Sequence, residues 1–451
     1  MRLKVSLGFA LLGMAWQGVA ADENALSPLR IFSAWEVGQV EQFRREANVV
    51  DQDKELINRA NVWLLQEARL ADNARAFVGV GGAYFFVYPR NLGGNPYAHS
   101  KRSAFGLTDA HGEFTFLSED EENYWLRLKV GIFPYKYNPD AKNLGEYMFR
   151  TWTYPTVINT GGLELSNSAA TQLSGGTINT QIGGFKNDLL LTIQSDRPPI
   201  FSLSLTDIAS YRLGIVTLGA GVMFDSFYNP DEEAVQPMEN TGNAYHTLSD
   251  GRKMANKELQ DLMNQGLLDT AVTKIVDTSY YTMAGTKLMG RAALDLGFIL
   301  PEDMRSPEDM RFYFEAILMG WKDYPTYYEK RADRVAYTLG VNIPTFGLLD
   351  VLSLEWEKSP NPFSQSTENV YKNGIVLPIS PGTFPVIKPE HRDDNKWTLY
   401  ARRQLFDKAW LHAQVANDHL RMVGVFSENQ DDQALLNPTH WYWVLKLSYS
   451  I

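Results

Sequence analysis

The chain has 451 residues, and its 42 Lys and Arg face 53 Asp and Glu, which gives a net charge of −11. This acidic balance argues against nucleic-acid binding, because phosphate backbones attract basic proteins. Cysteine is absent, which excludes disulfides, thiol nucleophiles and cysteine-based metal sites. Beyond the N-terminus, no segment approaches the roughly 20 consecutive apolar residues of a membrane helix.

The N-terminus has the features of a secretory signal peptide. Arg2 and Lys4 form a short basic region, residues 5–16 are apolar, and small residues at 18–21 precede Asp22. This order is typical of exported proteins, so we predict that residues 1–21 are a signal peptide. We treat residues 22–58 as an N-terminal extension that contains a short strand near 34–40. Three predictions stay open for these residues: a first strand of the wall, a periplasmic extension or a small hatch in the lumen.

From residue 61 onward the chain alternates between apolar and polar residues, as strands with one apolar face do. Residues 62–70 and 76–88 predict a hairpin across the polar turn 71–74, and residues 89–120 predict a long loop. Residues 124–131 predict a strand with Tyr124, Leu126 and Leu128 on one face. Arg127 and Lys129 lie on the other face.

Later segments repeat this alternation, and long connections alternate with short ones. The further predicted strands are 187–195, 200–206, 211–224, 280–298, 311–321, 334–343, 348–357, 396–406 and 409–415. Long connections occur at 138–180, 227–278 and 359–395, whereas 196–199, 301–307 and 344–347 are short. This asymmetry predicts an all-β fold: an antiparallel transmembrane β-barrel of about 16 strands (about 14–18) with short periplasmic turns and long extracellular loops. We place the barrel in residues 59–451.

The C-terminal segment 440–451 carries the clearest alternation. Lys446, Ser448 and Ser450 occupy the other face. The predicted membrane-facing residues are Trp441, Trp443, Leu445, Leu447, Tyr449 and Ile451. Such a strand suits a barrel that lipid covers outside and that its lumen solvates inside.

The charged residues opposite the apolar faces are the candidate pore lining. Arg or Lys on the lipid face costs about 2–4 kcal/mol at the membrane midplane, so alternation assigns these side chains to the lumen. The candidates are Arg127, Lys129, Arg150, Arg311, Arg334, Arg402, Asp188, Glu355 and Glu357. Opposed basic and acidic sets would select polar solutes; the alternative is that the charges only solvate the wall or pair with each other.

Two connections invite separate predictions. Residues 129–155 run from a strand into an aromatic and basic loop, which either folds inward and narrows the pore or packs on the surface. In the loop 227–278, Ser249 and Asp250 precede an amphipathic stretch from Arg252 to Leu268. This stretch predicts a capped helix, as a surface lid or as a cover over the pore.

Enzymatic and metal motifs are weak. The seven histidines are scattered, and neither H-E-x-x-H nor G-x-S-x-G occurs. Acidic clusters at 231–233 and 431–432 lack EF-hand spacing. We therefore predict no enzyme activity, no cofactor and no metal site.

With its signal peptide, amphipathic strands and aromatic C-terminal strand, the chain resembles Gram-negative outer-membrane porins in layout, although Ile451 stands where such barrels usually end in Phe. The resemblance implies a passive channel for small polar solutes in the outer membrane. It implies lipid, the barrel-assembly machinery and polar solutes as partners, and leaves a homo-oligomer open. The alternatives are a barrel scaffold for surface binding or adhesion, a hydrophobic-substrate transporter with an N-terminal hatch, and a soluble periplasmic all-β protein.

Overall fold

The computed structural model of the protein consists almost entirely of strands. It describes residues 26–42, 55–86, 103–118, 123–142, 171–193, 201–228, 244–268, 272–280, 285–318, 320–323, 330–358, 395–417 and 440–451. The predicted signal peptide lies outside these residues. In the described part of the chain, no helix is long and apolar enough to cross a membrane.

Sixteen strands form a closed antiparallel barrel. Each pairs with its neighbours along the chain, and the first strand closes the barrel on the last. The barrel strands are β1 (Arg30–Gln42), β2 (Glu55–Ala71), β3 (Ala74–Phe85), β4 (Ser103–Ser118), β5 (Tyr124–Tyr135), β6 (Thr171–Ile182), β7 (Phe185–Ile193), β8 (Leu203–Leu213), β9 (Val216–Tyr228), β13 (Gly285–Asp295), β14 (Arg311–Leu318), β15 (Val335–Asn342), β16 (Val351–Lys358), β17 (Asn395–Phe406), β18 (Ala409–Ala416) and β19 (His440–Ser450). The predicted fold class and strand number are confirmed.

The barrel forms because successive side chains of a strand point to opposite faces. On β14, Tyr313, Glu315 and Ile317 are buried inside, whereas Phe312 and Phe314 are exposed outside. The closing seam follows the same rule: Glu36 on β1 lies in register with Lys446 on β19, both inward. The lumen is therefore largely polar and the outer wall apolar, the arrangement of a barrel in lipid.

Short and long connections lie at opposite ends of the barrel. At one end, two-residue turns follow β2, β6, β8 and β17. Gly183 and Gly214 have positive φ angles in two of these turns, a conformation that tight hairpins need and that glycine adopts without strain. The start of β1 and the end of β19 meet at this end too, where Ile31 and Ile451 exchange backbone hydrogen bonds of 3.0 and 2.8 Å.

Residues 22–58 contribute to the wall. Of the alternatives for this segment, the structure places Arg30–Gln42 as a barrel strand between β19 and β2. The barrel wall thus begins before residue 59. The part of 22–58 that the structure describes does not form a hatch inside the lumen.

Three details differ from the sequence prediction. The predicted loop 89–120 contains β4, the predicted connection 138–180 contains β6, and the predicted strand 211–224 spans a turn after Leu213. Tyr124, expected beside Leu126 and Leu128, is buried on the inner face with Arg127. The cause is an irregularity in the β5–β6 register between Tyr124 and Arg127, which shifts the alternation.

Between β9 and β13 the chain builds a small separate unit, the β10–β12 subdomain (residues 244–280). It contains β10 (Ala244–Leu248), β11 (Lys253–Ala255), the helix α1 (Asn256–Asn264) and β12 (Ile275–Tyr280), with strand order β11-β10-β12. Leu248, Met254, Leu259 and Leu268 form its core.

The helix in this loop is shorter than predicted, and the predicted cap is wrong. Ala255 is the N-cap residue and makes no side-chain cap hydrogen bond. Residues up to Ala255 pair instead as a hairpin of β10 and β11. Asp250 stabilises the hairpin turn by accepting hydrogen bonds from the Arg252 backbone N and Nε, at 3.0 and 2.8 Å.

Candidate functional site

The chain that leaves β5 enters the lumen. We call residues 136–142 the re-entrant segment. Tyr137, Asn138, Asp140 and Lys142 are buried, although they lie outside any strand. Their partners lie on β13, β14 and β16, and β16 is eight strands from β5 in the sixteen-strand order. The segment therefore crosses the lumen to the opposite wall.

Glu315 on β14 holds the first half of the segment. Its carboxylate accepts hydrogen bonds from the Tyr137 hydroxyl and, at 2.7 Å, from Asn138 Nδ2. Next to it on β13, Arg291 donates from Nη1 to the Tyr137 carbonyl at 2.9 Å. A buried carboxylate requires such donors, because an unpaired charge in a dry environment is very costly. The pairing fixes both the wall residue and the segment.

Ionic contacts hold the second half. Asp140 Oδ1 lies 3.1 Å from Arg311 Nε, and the Lys142 ammonium contacts Glu308 in the β13–β14 connection. The Lys142 backbone N donates to Glu355 on β16. Two predicted pore-lining residues, Arg311 and Glu355, therefore anchor the re-entrant segment to the wall.

Tyr313 positions Glu355 through its hydroxyl, while its ring packs against Gly340. The Tyr313 hydroxyl lies 2.5 Å from Glu355 Oε1 and 2.9 Å from Ser353 Oγ. Its ring lies against Gly340 on β15, where a Cβ would come within 2.0 Å of two ring atoms. Glycine at position 340 thus makes room for the ring, and the ring supports the carboxylate that accepts from Lys142.

Apolar packing fills one side of the segment. Phe133, Tyr135 and Tyr137 join a buried cluster on the inner wall. The wall members of this cluster lie on β6–β9 and β13–β15 and are Leu173, Leu190, Ile208, Met223, Met289, Ile317 and Ala336. Because interiors of this kind are close-packed, the space between the segment and this wall is occupied by side chains.

The predicted lumen residues Arg127 and Lys129 lie on β5 and share one acid, Glu113 on β4. Arg127 Nε lies 3.4 Å and Lys129 Nζ 3.3 Å from the carboxylate of Glu113. Arg127 also lies over the Tyr124 ring, with its Cζ 3.8 Å from the centroid. The alternation of β5 predicted the two cations but not the acid, because Glu113 falls within residues 89–120, for which a loop was predicted.

The remaining pore-lining candidates are dispersed. Asp188 on β7 accepts from Tyr135 Oη at 2.9 Å and Asn179 Nδ2 at 2.7 Å. Arg402 lies 3.3 Å from Glu308. Glu357 is buried on β16, in register with Thr338 and Lys396.

Arg334 lies outside the strands of the wall. Arg334 lies in the short 3₁₀ turn Arg331–Arg334 before β15, where it donates to the Lys322 carbonyl and the Asp323 carboxylate. It ties a loop at the mouth of the barrel. Arg150 lies outside the described residues.

The last strand, β19, has one face toward the lumen and one face outward. Tyr442, Val444, Lys446 and Ser448 are buried inside. The opposite parity points outward and includes Trp441, Trp443, Leu445, Leu447 and Tyr449, with the terminal residue Ile451 exposed beyond the strand.

Three of the five residues that hold the segment were not predicted from the sequence: Glu315, Arg291 and Glu308. A signal for Glu315 was present: it shares the inward face with Arg311 at a spacing of four residues on a strand. Among the residues that the structure describes, no group of His, Asp and Glu could hold a metal ion.

Comparison with known proteins gives only distant likenesses. No family model and no curated protein matches the sequence. Among solved structures, a mutant of Rh. blastica porin is 9% identical, with a TM-score of 0.43 over 94% of this chain and 100% of that chain. Salmonella typhi OmpF is 8% identical, with a TM-score of 0.46 over 94% of this chain and 97% of that one.

The geometry by itself defines the class of protein. A closed antiparallel barrel of sixteen strands, apolar outside and polar inside, has the architecture of porin-like proteins of the Gram-negative outer membrane.

Proposed function

We propose that the protein is an outer-membrane channel for the passive diffusion of small polar solutes. The observation that carries the proposal is a charged lumen crossed by a segment of the chain itself. A barrel of sixteen strands is wide enough for an aqueous channel, and the re-entrant segment narrows it. The resulting pore would admit small hydrated solutes and exclude large or apolar ones.

The site residues enter the proposal with distinct roles. Arg127, Lys129 and Arg402 are proposed to line the pore, because they face the lumen and keep some contact with water. Arg311 and Glu355 are proposed to act through the segment that they anchor. Residues 1–21 are proposed to direct export, and the aromatic outer face of β19 to contact lipid and serve the barrel-assembly machinery.

The test is conductance of the purified full-length protein in planar bilayers. Heat-modifiable mobility on a gel, boiled against unboiled, first establishes that the barrel is folded. We expect discrete conductance steps at low voltage. Folded protein that inserts without producing steps at any voltage would exclude a channel and favour a scaffold for surface binding.

A further inference from the structure

Among the strand residues that the structure describes, one wall of the lumen carries more accessible positive than negative charge. We call this set the basic strip: Arg30, Arg75, Arg127 and Lys129, together with the acids Glu67 and Glu113 that bind them. Arg30 and Arg75 lie 2.6 and 3.6 Å from the carboxylate of Glu67. Arg127 and Lys129 share Glu113 in the same way. Each of the two acids serves two cations.

The topology makes the strip continuous. It follows β1 to β5, which are neighbours in the barrel. Arg75 on β3 lies in register with Glu113 on β4, and Glu113 lies in register with Lys129 on β5. The side chains therefore lie side by side along the inner wall, toward the end with the short turns.

Within the strip the cations are closer to water than the acids. The side chains of Arg30, Arg75, Lys129 and Arg127 are 47%, 36%, 30% and 17% exposed. Those of Glu67 and Glu113 are 14% and 9% exposed. A solute in the lumen thus contacts guanidinium and ammonium groups more readily than the less exposed carboxylates.

A strand beyond β6 and the opposite wall show related arrangements. On β7, Lys186 is 41% exposed and Asp188 5%, at a distance of 3.4 Å. Across the lumen, Glu308 again binds two cations, Lys142 and Arg402. Glu315, Glu355 and Glu357 are acids of the lumen too, but they are almost completely buried and so do not meet a passing solute.

From this arrangement we infer that the channel prefers small anionic solutes, such as those that carry a carboxylate or phosphate group. Rings or rows of Arg and Lys select anions in pores, since their potential raises the local anion concentration. The inference rests on the proposed channel function. It runs against the net charge of the chain, −11, which by itself would favour cations.

The experiment measures the zero-current potential of the full-length protein in a bilayer that separates concentrated from dilute KCl. We expect a zero-current potential whose sign corresponds to a chloride-to-potassium permeability ratio above one. The variant Lys129→Gln leaves Glu113 paired with Arg127, and Arg75→Gln leaves Glu67 paired with Arg30. Each should lower the ratio, and the double variant should lower it further. Lowering the salt should enlarge these differences, because screening weakens.

The matched control is Lys253→Gln, which removes the same charge from an exposed position of the β10–β12 subdomain. It should leave the ratio unchanged. A potassium-selective channel, or a double variant indistinguishable from this control, would overturn the anion preference and leave the channel standing. Folded protein without conductance would instead overturn the channel itself.

Discussion

Two insertions between barrel strands are structured in different ways. The re-entrant segment, after β5, has no strand of its own and lies inside the barrel. The β10–β12 subdomain, after β9, forms its own sheet, helix and core. Both depart from the end of the barrel that carries the long connections.

The difference follows from what each insertion offers to the wall. The re-entrant segment offers polar groups, which the wall meets with Glu315, Arg291 and Glu355. The subdomain offers leucine and methionine side chains, which pack on each other, so it needs no contact with the wall to bury them. Polar pairing with the wall therefore holds the re-entrant segment inside the barrel, whereas burial of its own apolar side chains lets the β10–β12 subdomain fold as a separate unit.

Removing the polar anchor of the re-entrant segment should have the largest effect. Glu315→Ala leaves the buried Tyr137 and Asn138 donors without their acceptor, and an unsatisfied buried hydrogen-bonding group costs about 1–3 kcal/mol. The chain lacks cysteine, so Ala141→Cys provides a single thiol at a buried position of the segment. We expect a water-soluble maleimide to label this thiol much faster once Glu315→Ala is added.

Glu315→Gln is the matched control, because its amide oxygen still accepts a hydrogen bond at the same place. It should keep most of the protection. Equally slow labelling in the Ala and Gln variants would show that apolar packing of Tyr137, rather than the carboxylate, holds the segment in the lumen.

Removing an apolar anchor of the subdomain should have a smaller and local effect. Leu259→Ala creates a cavity in a core of four side chains, at a cost of about 2–5 kcal/mol, near the low end because the core is small. We expect faster proteolysis within residues 244–280 and unchanged heat-modifiable mobility of the barrel. Met263→Ala, at an exposed position of the same helix, should change neither. A weakened barrel would show that the two units are coupled.

The same contrast explains how far the sequence could be interpreted. Strands such as β14 and β19 were predictable because apolar or aromatic residues occupy every second, outward position of a segment that also carries polar residues between them. β6 was not, because Ser174, Gly176 and Thr180 occupy its outward positions and leave Ile178 as the apolar signal there. β4 was missed because a register shift against β3 breaks its alternation.

The site was predictable only in part for a similar reason. Alternation indicates which residues share a face of a strand, and the structure places Arg311 and Glu355 on the inner faces of β14 and β16. It does not indicate which loop meets them. That pairing joins residues more than 150 positions apart, as between Asn138 and Glu315, and local pattern carries no information on contacts of this range.

The smallest expected effect comes from Gly340→Ala, which tests how finely the polar anchoring is adjusted. The added methyl would overlap the Tyr313 ring, and overpacking of this kind costs about 1–3 kcal/mol. Since Tyr313 is held at its hydroxyl by Ser353 and Glu355, its ring moves only if those bonds loosen. We expect a lower temperature for the loss of the folded gel band and faster labelling of Ala141→Cys. Gly290→Ala, on the neighbouring outer face with open space around it, should have no such effect. If both variants behave like the parent, the wall tolerates a shift of Tyr313, and Glu315 alone suffices to hold the segment.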